Sequence, residues 1–401
     1  MTGSNQQGVS RILALNCGSS SIKASIFEMQ AQGRLLETFT LTRIGLPDGE
    51  YWREVAGGDT LEREQLELPD HQAALQRLIA GLDASGAEGR IDACAHRVVH
   101  GGAAFTAPRL VDDAVLRKLE RLVPLAPDHL PSEILGVRSL HSRYPHLPQV
   151  VCFDTAFHHS LPRVAREYAL PESIRQDGIQ RYGFHGLSYE FILQELQRDA
   201  GSQAAEGRVV IAHLGSGASM AAVAAGRSID TTMGYTPAGG LIMGTRPGDL
   251  DPGVVLALLR RPGMDAAAAN ELINKHSGLL GLSGFSSDMR DLLEHEGSAP
   301  RAKDAIDSFC YQARKHLGAM IAALGGMDTL VFTAGIGEHA PQIRVRILAG
   351  MEFAGLELDP ERNAASAPII SSKASAATIR VMHTDEDLML ARHAASLIRG
   401  G

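Results

Sequence analysis

At 401 residues, with 44% apolar and 21% charged residues, the chain has room for two or three domains with sizeable cores and the make-up of a soluble globular protein. A net charge of −8 argues against a general nucleic-acid or membrane-surface binder, but not against an anionic substrate, which local positive charge decides. Residues 1–10 are polar and lack the apolar centre of a signal peptide, and no apolar run approaches a membrane span. Cys17, Cys94, Cys152 and Cys310 are far apart and show no metal spacing, which reads as buried free thiols in a reducing cytoplasm.

In chain order, Ile12–Leu15, Ile22–Phe27 and Leu35–Arg43 read as three successive strands. The first two are joined by Asn16-Cys17-Gly18-Ser19-Ser20-Ser21, a turn where Gly18 lets the backbone bend. Its N–H groups and hydroxyls, with Lys23 beyond, would suit a phosphate; an ordinary Ser-rich hairpin is the other reading. Residues 45–69 are polar and read as irregular, with Gly57-Gly58 in the middle. Leu75, Leu78, Ile79 and Leu82 predict a helix over 70–82. A strand at Ile91–Val99, helices at 112–123 (N-capped by Asp112 or Asp113) and from about Ser132 to His141, and a strand Gln149–Phe153 ending at Asp154 follow. The order β-β-β-α-β-α-α-β is that of a ribonuclease H-like domain.

The second half repeats the pattern. Val209–Leu214 runs into Gly215-Ser216-Gly217-Ala218-Ser219, and Met220–Ala225 and Ser228–Met233 read as returning strands. Gly217 follows Gly18 by 217 − 18 = 199 residues, close to half the chain. This suggests two duplicated α/β domains, each presenting a turn to a central cleft; two unrelated hairpins remain the alternative. Gly234 to Gly253 is a long Gly/Pro loop holding Arg246 and Asp249, and a loop of that length is usually functional. A long helix at about 302–324 and a strand at Thr329–Thr333 precede Gly335-Ile336-Gly337-Glu338. That segment reads as a glycine turn ahead of a helix beginning near Pro341. A strand Thr378–Met382 leads to Thr384-Asp385-Glu386-Asp387 at a helix start, where Asp385 and Asp387 read as caps. No GxxxxGK[ST] loop and no protein-kinase signature is present.

LALNCGSSSIK, HRVVHGG, FDTAFH, YGFHGLS, HLGSGAS, GTRPGDLDPG, GFSSDMRD, FTAGIGEH and TDED follow one another in the order seen in acetate kinases, over residues 11 to about 395. The chain thus resembles the acetate/propionate kinases of the acetate-and-sugar-kinase, heat-shock-chaperone and actin superfamily. The resemblance implies two ribonuclease H-like domains. One spans 1–154 and is joined by a C-terminal helix at 387–401; the other, 155–386, binds nucleotide. It further implies a cytoplasmic homodimer that uses Mg²⁺, or Mn²⁺ in its place, to convert ATP and acetate to ADP and acetyl phosphate. Two domains around a nucleotide are expected to close and exclude water.

Residue by residue, the resemblance assigns Asn16 and Glu386 to the metal, two oxygen donors of the kind Mg²⁺ takes alongside phosphates. Arg97 and Arg246 match the active-site arginines, whose planar forks suit phosphoryl oxygens and a carboxylate. His185 matches the transition-state stabiliser and His129 a further active-site histidine. Asp154 matches the position usually described as a proton donor or acceptor. A carboxylic acid substrate is already ionised at neutral pH, so Asp154 is read here as orienting an arginine or a metal-bound water. Nucleotide matches are Lys23, His213-Leu214-Gly215-Ser216-Gly217, Asp288-Met289-Arg290 and Gly335-Ile336-Gly337-Glu338-His339. The acyl pocket matches at Val99, Phe184 and Pro237.

Four departures stand out. Ser216 and His339 replace asparagines, Asp128 replaces the pocket leucine, and Leu130 replaces another asparagine. An aspartate facing a methyl group is costly unless paired, so Asp128 either turns away or the acid differs. Acetate and propionate both stay open, since one methylene is worth about 1–3 kcal/mol. Other readings are another short-chain acyl kinase, a nucleotide-gated binding protein on the same fold, and a paralogue disabled by the departures.

Overall fold

The computed structural model describes residues 10–30, 32–86 and 90–399. Its strands are β1 (Ser10–Cys17), β2 (Ser21–Met29), β3 (Arg34–Thr42), β4 (Gly49–Val55), β5 (Thr60–Leu66), β6 (Ala93–Val98), β7 (Arg109–Leu110), β8 (Gln149–Phe153), β9 (Arg208–Leu214), β10 (Ala218–Ala224), β11 (Arg227–Thr231), β12 (Thr329–Thr333) and β13 (Thr378–Val381). The chain divides into two units, one of residues up to Ala156 together with those from Asp385, the other Phe157–Thr384.

In the first unit the sheet order is β5-β4-β3-β2-β1-β6-β8-β7. β1, β2 and β3 form an antiparallel meander, while β1, β6 and β8 are parallel. The second unit has the order β11-β10-β9-β12-β13, again an antiparallel meander followed by parallel strands. The same order, strand 3-2-1-4-5, is the ribonuclease H-like plan of the actin-like ATPases, and it occurs in both halves. Parallel strands buried on both faces read as continuous apolar runs, and the β1, β8, β9 and β12 sequences do so.

Helices supply the covering layers. His71–Ala84, N-capped by Asp70 Oδ1 accepting from Ala73 N at 2.8 Å, buries Leu75, Leu78 and Leu82. They meet Leu13, Leu15, Ile22, Phe39 and Tyr51 in one core. The Glu386–Arg399 helix lies on β1, β6, β2 and β8, burying Met389, Leu390 and Ala394. In the second unit Pro300–Leu324 lies on β9, β10 and β11 through Ile306, Phe309 and Leu317. No described helix is long and apolar enough to cross a membrane. All four cysteines are buried free thiols.

Two local expectations are corrected. Residues 45–69 are not irregular; they hold the β4–β5 hairpin, turning at Gly57 (φ 109°) and Gly58 (φ 90°). Its apolar alternation is hidden because β5 is exposed along nearly its whole length. The hairpin is held by backbone pairing and by Arg77, which bonds Glu62 and Glu64 and lies 3.5 Å from the centre of the Tyr51 ring. The segment after β12 is not a glycine turn but a helix, Ala334–His339, entered through Ala334 at φ 65°. Glycine disfavours a helix by about 1 kcal/mol, so propensity alone misses it. Side-chain hydrogen bonds offset that cost: Glu338 Oε1 accepts from Ala334 N at 2.9 Å. The buried Arg344 guanidinium donates to the carbonyls of Gly337 and Glu338 at 2.7 and 3.0 Å.

Candidate active site

In the first unit the C-terminal ends of β1, β6 and β8 carry the chemistry. Register places Leu15 beside His96 and Arg97 beside Cys152, so Asn16, Arg97 and Asp154 emerge from three neighbouring parallel strands at one edge. Open sheets of this type bind ligands at that edge. Arg97 donates through Nε to Asp154 Oδ1 at 3.0 Å and through Nη2 to Oδ2 at 2.6 Å, a two-pronged pair. Its Nη1 lies 3.4 Å from Asn16 Oδ1, and its Nε 3.7 Å from Glu386 Oε2. Asp154 is 1% exposed. A pair with one partner buried adds little net stability, since desolvation offsets the attraction.

This edge carries a surplus of acid. Burial pushes the Glu386 carboxyl above its usual range; Arg97 opposes the shift, and Asp154, Asp387 and Asp385 reinforce it. Burial likewise pushes Glu133 up to about 8. Both Glu133 oxygens accept from the Val99 backbone N–H, at 3.2 and 3.1 Å, and so hold the end of β6. Lys23 pairs with Asp387 at 2.9 Å; burial works against its charge, but Asp387, Asp385 and Glu386 hold its pKa above the ordinary value. Asp387 also accepts from Ser25 Oγ at 3.1 Å, so it ties β2 to the last helix rather than serving as a simple cap. An amide oxygen and a carboxylate within a surplus of negative charge fit a hard divalent cation completed by phosphate oxygens. Val99 is buried, His129 stands at the N-cap of Leu130–Arg143, and Asp128 is exposed while Leu130 is buried.

In the second unit the Gly215–Gly217 turn between β9 and β10 is the focus. His185 precedes the Gly186–Ala200 helix in a left-handed conformation, φ 58° and ψ 24°. Its Nδ1 is 2.8 Å from Ser219 Oγ, and its ring stacks on His213 with centroids 4.1 Å apart. His213 Nδ1 is in turn 2.8 Å from Ser188 Oγ. Arg246 Nη1 donates to the Pro237 carbonyl at 2.8 Å, and Asp249 Oδ1 accepts from Gly240 N at 2.7 Å, which closes the long loop on itself. A side chain on Gly217 would meet both Arg246 Nη2 and His185 Nε2 at 3.3 Å. Glycine there lets both side-chain tips come close to the turn; a Cβ would push them back by a few tenths of an ångström. Phe184 is 1% exposed, just ahead of His185.

Beside this turn lies a cavity of about 790 Å³, the size of a nucleotide site. Gly215, Ser216, Asp288, Met289, Arg290, Gly335, Ile336 and His339 line it. His213, Leu214, Gly217, Gly337 and Glu338 are not among its walls. Glu338 faces inward as the helix bond to Ala334, and also takes His383 Nδ1 at 3.0 Å. Lys23 belongs to the first unit. Asp288 caps the Met289–His295 helix, and Arg290, bonded at 3.0 Å, holds its carboxyl below the usual range. Leu293 and Gln342 also line the cavity without having been anticipated; Leu293 lies one helical turn after Met289. Glu133, Ser188 and Ser219 were missed because their roles rest on partners distant in sequence.

The model of the acetokinase family matches residues 11–392. An acetate kinase of Rhodopseudomonas palustris is 45% identical over 97% of this chain and 99% of its own. Acetate kinase 1 of Neisseria meningitidis is 43% identical over 96% and 98%. Among solved structures, Porphyromonas gingivalis acetate kinase superposes with a TM-score of 0.88 at 36% identity, covering 97% and 100%. A propionate kinase from Francisella tularensis gives 0.90 at 35%, covering 96% and 98%. With strand order, turn chemistry and full-length similarity in agreement, the chain belongs to the acetokinase family.

Proposed function

We propose that the chain is an acetate kinase, transferring the terminal phosphoryl group of ATP directly to the carboxylate of acetate, and back. The observation that carries the reading is the convergence of Arg246 and His185 on the Gly217 turn, beside a cavity of nucleotide size. Phosphoryl transfer needs little covalent help; it needs positioned positive charge and donors around the equatorial oxygens. In this reading Arg246 and His185 stabilise the transferring group. Gly215, Ser216 and Gly217 meet the phosphates, with Lys23, His213 and Leu214 in support. Asp288, Met289, Arg290, Gly335, Ile336, Gly337, Glu338 and His339 hold ribose and adenine. Arg97 binds the carboxylate, Val99, Phe184 and Pro237 bound its alkyl end, and His129 assists.

Asn16 and Glu386 would hold Mg²⁺, or Mn²⁺ in its place. The ion supplies charge neutralisation on the β- and γ-phosphates when bound. The two-pronged bond from Arg97 supports Asp154 as the group that aims that guanidinium, not a proton carrier. The domain assignment, 1–154 with 387–401 and 155–386, is retained as part of the proposal. Four buried thiols suit a cytoplasmic setting. Exposed Val254, Leu256 and Leu259 on the apolar Pro252–Leu259 helix support a homodimer through that face.

The test is a hydroxamate assay for acyl phosphate with ATP, Mg²⁺ and acetate, propionate or butyrate. Acetyl hydroxamate with the highest kcat/KM for acetate is expected. ATP hydrolysis indifferent to acetate, with no acyl phosphate, would overturn the proposal in favour of a nucleotide-gated binding protein. A preference for propionate would shift it to the second reading, which the similarity to a solved propionate kinase favours, although exposed Asp128 takes the branch in which that side chain turns away.

A further inference from the structure

His158 closes the FDTAFH motif, and the roles assigned so far leave it unused. It is 2% exposed, inside the second unit, and both ring nitrogens are bonded. Nε2 lies 3.0 Å from the Phe184 carbonyl oxygen and Nδ1 lies 2.8 Å from Ser228 Oγ. A carbonyl can only accept, so Nε2 carries the hydrogen; Nδ1 is then the acceptor and the Ser228 hydroxyl donates. Burial pushes the His158 pKa down to about 4, in keeping with a neutral ring.

The segment that this ring grips is strained. Gly183 (φ 73°) and His185 (φ 58°) both lie in the left-handed region, which a residue with a side chain adopts only when its surroundings enforce it. At the near end, the Gly234 carbonyl accepts from Tyr182 N at 3.0 Å and from Gly183 N at 3.3 Å. A side chain at Gly183 would lie 2.6 Å from His158 Cδ2 and 2.7 Å from Thr231 Cγ2, so the ring and β11 wall in the turn. At the far end, the His158 bond fixes the peptide that leads directly into His185.

We infer that His158 is a positioning residue: Ser228 sets its tautomer, and its Nε2–H clamps the Phe184 carbonyl so that His185 is held left-handed, with its ring against Ser219, His213 and the Gly217 turn. The catalytic consequence rests on the acetate kinase reading; the conformational claim does not. His158→Leu removes the donor and strands a buried carbonyl. His158→Gln restores an N–H at a similar reach. Ser228→Ala removes only the group that sets the tautomer.

The experiment measures steady-state kinetics and crystal structures for these three variants of the full chain. His158→Leu is expected to lower kcat on the order of 10²-fold, the scale of a displaced reacting group, with KM for ATP changed less than about twofold. His158→Gln is expected to recover most of the loss, Ser228→Ala to fall between, and residue 185 to leave the left-handed region in the Leu structure only. A folded Leu variant with wild-type kcat, a Gln variant as impaired as Leu, or an unchanged φ at residue 185 in the Leu structure would each overturn the inference. If His158→Leu does not fold, an unchanged kcat in Ser228→Ala does so. Failure of the enzymatic reading shows separately, as absence of acyl phosphate with the wild type, and the crystal structures then decide the clamp alone.

Discussion

The five strands β3-β2-β1-β6-β8 of the first unit and β11-β10-β9-β12-β13 of the second follow one plan, each with a glycine turn between its first two strands in the chain. What surrounds those turns differs. Around the first, Arg97 and Lys23 are set among Asp154, Glu386, Asp387 and Glu133. Around the second, His185 and Arg246 face a glycine cradle, and Gly215 and Ser216 of the same turn line a wide cavity. The turns themselves also differ. A side chain at Gly18 would meet only Ser21 of its own hairpin, at 3.2 Å, whereas one at Gly217 would meet the tips of Arg246 and His185. A duplicated scaffold thus supports two chemical loads, one acidic and suited to a cation, the other rich in donors and suited to phosphates.

The comparison can be broken most directly at its arginines. Arg246→Ala is expected to lower kcat by roughly 10³-fold, the range for removing an arginine from a phosphoryl-transfer site, with the fold intact by circular dichroism. Retained activity would strip the second unit of its assigned role. Asp154→Asn, which leaves Arg97 with one acceptor instead of two, should cost on the order of 10²-fold in kcat/KM for acetate. The wild-type pH–rate profile should lack a limb for a general base; a limb that vanishes in the variant would make Asp154 a proton carrier.

The two turns can be compared by one substitution made twice. Gly217→Ala should lower kcat about tenfold with little change in melting temperature, because the atoms displaced are flexible tips that matter for chemistry. Gly18→Ala should stay within about threefold of wild type. Equal effects would erase the distinction.

The smallest effect concerns Glu133. Its carboxyl is held at about 8 when folded, against 4.5 as the ordinary value, so between those pH values the folded chain binds a proton that the unfolded chain has lost. Stability should fall as pH rises through that window. Glu133→Gln keeps an acceptor for Val99 N but cannot ionise, so its melting temperature should gain on wild type by about 2 °C or more between about pH 5 and pH 8. A constant difference would mean that Glu133 is already ionised in the folded protein.

The meanders and their turns were legible because a glycine turn between apolar strands is a local signal; Arg246 stood out in its Gly/Pro loop, whereas Arg97 and His185 were assigned through the resemblance to the family. The β4–β5 hairpin was not legible, since Tyr51 is its one large fully buried side chain and its ion pairs to Arg77 arrive from a helix farther along. The Ala334–His339 helix was hidden by its glycines and stands on Arg344, several residues beyond it. The partners of Glu133 and His158 lie 34, 26 and 70 residues away, so nothing near either residue announces its task.

The first unit also has a peculiar history of assembly. The helix from Glu386 to Arg399 covers β1, β6 and β8, yet it is synthesised after every residue of the second unit. While the ribosome makes the intervening stretch, the early sheet lacks that cover, and its arginine fork waits for Glu386. A newborn chain would therefore gain Glu386, one of the two groups proposed to hold the cation, only after the whole second unit has been made.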